Sequence, residues 1–139
     1  MTMGYASAIR NAKLDLITTA IDDGITHAAG KLRLYNGARP ATGAPITTQT
    51  VGAELFFSNP AAIGASSGLL TFSAIDDDTS ADNSINPVTW GRILDRDDVF
   101  VADCSVGLSG TDVIINTLNI VAGVNVGVTD FASITDGNP

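Results

Sequence analysis

The sequence predicts an all-β domain: an antiparallel, jelly-roll-like β-sandwich of about seven or eight short strands behind one N-terminal helix. Three observations predict it. After Gly30, apolar residues recur with period two in short runs. Clusters of Gly, Asn, Asp and Pro punctuate those runs roughly every ten residues. The composition is 45% hydrophobic and only 16% charged, with Val, Ile, Thr and Gly prominent, which folds rather than stays disordered and favours strands. The 139 residues suit a single domain. Its organisation reads as an arm and helix over 1–29 and a β-sandwich over 30–139.

The one helical segment runs from Ser7 to Asp23. Ile9, Ala12, Leu16, Ile17, Ala20 and Ile21 fall at spacings of three and four and form one stripe. Ser7 is placed to cap its start and Gly24 to end it. Asp22 and Asp23 lie at the negative end of the helix dipole, an unfavourable position. Two uses fit such a helix: a cover for the open side of the β-domain, or an arm packed on a neighbouring subunit.

Lys31 to Tyr35 alternates and ends at the Asn36-Gly37 turn signal. A loop with Pro40, Gly43 and Pro45 leads to a strand at 51–58, stopped by Asn59-Pro60. After the small-residue stretch 61–68 come strands at 69–75, 88–94 and 99–106. The tract 111–122 is one bent strand or two short ones. The clearest alternation in the chain, Val124 to Val128, continues toward Ile134. Between 76 and 87 lies a polar loop long enough to suggest a role or mobility.

Charge narrows the partners. The net charge is -8, and the seven bases do not cluster, so free duplex nucleic acid is excluded as a partner. The imbalance is local. Residues 1–58 carry five bases and four acids, whereas 59–139 carry two bases and eleven acids. One cysteine and one histidine permit neither an internal disulfide nor a Cys/His zinc site. No window is apolar enough for a membrane span, and the first residues lack a signal-peptide pattern, so a protein used without export is expected.

Each chemistry-bearing motif has a plain structural alternative. Gly64-Ala65-Ser66-Ser67-Gly68 matches G-x-S-x-G, but a loop precedes it, a strand follows it, and His27 lies upstream; it reads as a flexible turn. Asp76, Asp77, Asp78 and Asp82 could hold a cation weakly, yet they lack the alternating ligands and closing Glu of a calcium loop. His27 has no ligand-spaced neighbour. Cys104 alternates with Phe100, Ala102 and Val106 on an expected core face. Trp90 is expected in the core, with a sugar-stacking platform as the other use of such a residue. No residues assemble a base, a nucleophile and an oxyanion site, so no catalytic residue and no cofactor is assigned. Arg10, Lys13, Arg33, Tyr35, Arg39 and Arg92 are the candidate partner contacts.

Taken together, a string of strand and turn signatures is similar to the cement, or decoration, proteins that coat the capsids of tailed bacteriophages, those of podophages in particular. The residues that carry the likeness are Leu32 to Gly37 with Arg39-Pro40, Thr47-Thr48, Ala53-Glu54-Leu55 and Ser58-Asn59-Pro60. Gly68 to Thr71, Trp90 to Asp95, Gly107 to Thr117 and Ile120 to Val126 continue it, so that it spans residues 30–131. The resemblance implies a jelly-roll fold, no enzymatic activity and no cofactor. It further implies a place on the capsid surface of a virion assembled in a bacterial cytoplasm. The implied partners are the major capsid protein and other copies of the chain, as a dimer or trimer. Rival expectations are a phage tail or fibre domain binding a host-surface glycan, marked by an exposed Trp90 or Tyr35, and a glycan hydrolase, marked by a cleft with close carboxylates. A host β-sandwich without a phage connection comes third.

Overall fold

The computed structural model describes residues 3–137. A helix, α1 (Ser7–Asp22), precedes nine strands: β1 (Lys31–Tyr35), β2 (Val51–Phe57), β3 (Leu69–Leu70), β4 (Ile75–Asp76), β5 (Trp90–Leu94), β6 (Phe100–Gly107), β7 (Val113–Ile115), β8 (Val128–Phe131) and β9 (Ile134–Thr135). Seven of them form one sheet in the order β4-β2-β1-β5-β6-β7-β8, and β3 pairs with β9. The mostly-β expectation with one helix holds.

The expected pair of facing sheets gives way to one sheet that curls nearly into a barrel. Its edges are tied by an irregular ladder. Asp78 and Val126 exchange both backbone hydrogen bonds, as do Ile85 and Ile120, while Ala81 bonds Val124 and Gly123, and the Val88 N–H donates to Leu118. The tract 76–87, expected as a free polar loop, is therefore pinned along 118–126 by backbone bonds. The same ladder explains the alternation at 124–128. Val126 is buried, Val124 is half exposed, and the regular strand begins only at Val128. The expected strand at 69–75 breaks into β3 and β4, because Leu70 pairs with β9 while Ile75 pairs with β2. One pairing departs from the antiparallel expectation: β6 and β7 run parallel, Val106 beside Val113.

Inward side chains alternate as period two requires. Leu32 and Leu34 of β1, Ala53, Leu55 and Phe57 of β2, and Val113 and Ile115 of β7 are almost fully buried in one cluster. Burying a side chain such as Leu32 contributes roughly 1.5–3 kcal/mol against leaving it in water. Gly91 faces inward on β5; a Cβ there would stand 3.0–3.1 Å from Leu32, Cys104 and Val106, so the glycine lets three side chains close over the strand.

The helix packs on its own domain. Ile21 joins the main core, and Leu14 joins a second cluster with Ala62 and Leu70. No residue side chain caps its start at Ala6. Among the described residues no helix is long and apolar enough to cross a membrane.

Candidate functional site

The outward face of the central strands carries most of the candidate contacts. Pairing of β2, β1, β5 and β6 aligns Glu54, Arg33, Arg92 and Asp103 in one row. The two adjacent guanidiniums are each neutralised within the row. Arg33 Nε donates to Glu54, and Arg33 Nη2 donates to Asp98 at 3.2 Å. Arg92 holds Asp103 bidentately, at 2.7 and 3.0 Å, and donates from Nη1 to the Ala44 carbonyl at 2.9 Å. Its guanidinium lies 5.3 Å from the Trp90 ring and 5.1 Å from Phe100.

Below this row sits a charge cluster around Lys31, whose side chain is 2% exposed. Its Nζ lies 2.6 Å from Asp98 and 3.5 Å from Glu54, and His27 Nε2 lies 3.5 Å from the other Asp98 oxygen. Partial burial pushes the Asp98 carboxyl up. The hydrogen bond from Lys31 and the charges of Arg33, Lys31 and His27 outweigh that and hold it below its ordinary value.

Tyr35 and Trp90 stack with ring centroids 4.7 Å apart, at 5% and 2% exposure. The β1–β2 loop lies over this face: the Gly43 N–H donates to Asp103, and the Gly37 carbonyl accepts from Thr89 Oγ1. Trp90 is buried as expected, although it points outward and is covered by a loop; its indole N–H has no partner among the described residues.

Of the six candidate contacts, Arg33, Tyr35 and Arg92 come together on this face. Arg10 and Lys13 meet instead at Asp136, Lys13 at 2.7 Å and Arg10 through the Asp136 carbonyl. Arg39 is exposed and makes no ion pair among the described residues. Sequence reading passed over Lys31, Glu54, Asp98 and Asp103. Their only signal was alternation: polar groups at every second position of β1 and its neighbours imply outward partners on the adjacent strands.

The remaining motifs are structural. The G-x-S-x-G stretch is stitched to α1: Asn11, Asp15 and Asp22 accept hydrogen bonds from the backbone N–H groups of Gly68, Ala65 and Ala61. His27 Nε2 instead faces Asp98, at 3.5 Å. Asp78 accepts from the N–H groups of Glu54 and Ser80, and Asp77 accepts from Asn125. Burial, then the charges of Asp78 and Glu54, push the Asp82 carboxyl up. No set of three His, Cys, Asp or Glu side chains suited to a metal ion occurs among the described residues. Cys104 is buried, and burial pushes its thiol up to about 12. It lines a half-open cavity of about 510 Å³ with Ile17, Phe72, Phe131 and Ile134. Asp103 and Asp112 also line the cavity, but Arg92 engages the first and Ser105 the second.

Large apolar side chains are also offered to solvent. Of the eleven large apolar side chains exposed among the described residues, seven lie on α1, its flanks or the stretch stitched to it: Met3, Tyr5, Ile9, Leu16, Ile25, Ile63 and Leu69. No protein-family model, curated protein or solved structure matches the chain.

Proposed function

We propose that this protein is a capsid cement protein of a tailed bacteriophage. It docks on the outer surface of the assembled shell, strengthens contacts between major capsid proteins, and works as a dimer or trimer without catalysis, cofactor, nucleic acid or membrane. Its nearly closed barrel then corresponds to the jelly roll of that family. The observation that carries the reading is the set of exposed apolar side chains on α1 and the segments beside it, while Arg33, Arg92, Lys31 and their carboxylates on the central strands pair with one another. Such a surface suits docking rather than reaction. The two halves of the chain interleave in one sheet, so it is the apolar side chains beside α1, Ile25, Ile63 and Leu69, that meet the shell, with exposed Arg39 as a base open to it. A protein that binds only the mature shell stabilises it by mass action, and repetition over a lattice adds avidity. The glycan-binding alternative is weakened because the two rings it needs, Tyr35 and Trp90, stack on each other out of solvent.

Cosedimentation with emptied, undecorated phage shells tests the proposal. Saturable binding with a rise in shell melting temperature is expected, and Arg39→Glu lowers the affinity. A folded protein that never sediments with shells overturns it.

A further inference from the structure

Helix α1 is apolar on two opposite sides. Leu14, Ile17 and Ile21 pack inward. At about 100° per residue, Leu16 lies on the far side from Leu14, and Ile9, Ala12 and Ala20 share its side. All four are exposed, Leu16 at 67% and Ile9 at 50%. Two apolar sides on one helix call for two partners, yet only the inner one has one within this chain.

We infer that this outer stripe pairs antiparallel with α1 of a second copy, across a two-fold axis near Leu14. Three features of the stripe fit a second copy. The first is shape. With the axis there, Ile9 meets Ala20 of the second copy and Leu16 meets Ala12, large against small along the whole seam, which allows the close approach of well-packed helices. The second is charge. Ala6 leaves the helix start without a side-chain cap and the first turn has no acid, whereas Asp23 is exposed at the negative end of its own helix. The antiparallel register brings Asp23 of each copy to the uncapped start of the other, where a carboxylate is favourable. The third is direction. The seam lies opposite the packed side, so the two barrels stand on the outside and do not compete for space. The exposed apolar surface of α1 and its N-terminal flank is on the order of 400 Å² per copy, about half of a standard interface, which fits a weak, concentration-dependent dimer. This pairing deepens the proposed function and rests on its dimer: it gives Ile9 and Leu16 to the second copy and leaves Ile25, Ile63 and Leu69 for the shell.

Sedimentation of the full chain over a wide concentration range tests it. A monomer–dimer equilibrium is expected, and Leu16→Lys weakens it about 10- to 100-fold, as loss of a central anchor does. At concentrations where both chains are monomers the melting temperature stays unchanged, because Leu16 lies outside both core clusters, whereas at high concentration only the unsubstituted chain gains in melting temperature. Register is read by mixing Ile9→Cys chains with Ala20→Cys chains under mild oxidation. The mixed disulfide forms in preference to either self-pair, and buried Cys104 stays out of the reaction. A monomer at every concentration, a dimer indifferent to Leu16→Lys, or preferred Ile9–Ile9 crosslinking overturns the inference. A monomer whose Leu16→Lys variant also loses shell binding assigns the stripe to the shell instead. Failure of shell binding by an intact dimer overturns only the capsid reading.

Discussion

Asp98 shows how much one side chain organises on the sheet. Its backbone is left-handed, at φ +64°, and its carboxylate faces Lys31, Arg33 and His27 at once. Lys31 is the residue at stake, since a buried ammonium without partners is costly. Replacing Asp98 by Asn is expected to cost about 1–2 kcal/mol at neutral pH, reduced because Asp98 is partly solvated and Glu54 remains beside Lys31. The sign with pH follows from the lowered carboxyl. Its contribution is complete above the ordinary carboxylate range and is lost as pH falls through the lower folded value. Denaturant titrations of both proteins should therefore show a gap that closes below about pH 4. A gap constant with pH would mean that the ion pairs contribute nothing. None of this cluster was legible from motifs, because its members lie far apart in sequence and meet only through strand register. Cys104 was legible, since its alternation with Ala102 and Val106 marks a core face; Phe100, expected on that face too, lies beyond an irregularity in the β5–β6 pairing and faces Arg92 on the outer side instead.

Among the elements, α1 was legible in its bounds and misread in its faces. Predicted and observed ends agree to one residue. The stripe drawn from the sequence merged two sides, because Ile17 and Ile21 border the inner side while Ile9, Ala12, Leu16 and Ala20 are outer. Leu14, omitted from it, is 4% exposed. The signal that sorts them is polar. Asn11, Asp15 and Asp22 share the edge that holds the stretch 61–68, and that edge fixes which way the helix is turned. Where the chain leaves this helix for β1, Gly30 is the close contact. A Cβ there would stand 2.6 Å from the Ile21 carbonyl oxygen and 3.0 Å from that of Leu94. Ile21 Cγ2 is closer still, at 2.5 Å, and the two carbonyls are backbone and cannot rotate away. Gly30→Ala is expected to destabilise by about 1–3 kcal/mol, the usual range for overpacking. Gly137→Ala, with nothing near its Cβ, should be close to neutral in the same melting assay. Equal effects would show that the helix–strand junction yields.

At the scale of the whole molecule, the sequence conveyed strands and turns but not closure. The ladder that joins the sheet edges pairs Asp78 with Val126 and Ile85 with Ile120, and it has too little regularity to leave a period in either segment. Closure and the helix together decide how the protein unfolds. Ile21 is fully buried in the same cluster as Leu34, Phe57 and Val113, so the N-terminal segment is part of the barrel's core rather than a detachable arm. Removing that contact takes support from the strands, and losing the strands uncovers the helix. One cooperative transition is therefore expected for a domain of this size. Trp90 fluorescence reports the covered outer face, and amide exchange within α1 reports the helix. Ile21→Ala should shift both by the same amount, at a cost of about 2–5 kcal/mol. Were the helix amides to exchange well before Trp90 became exposed, α1 would be a separately opening element, and its outer stripe would be held in place only when a second copy covers it.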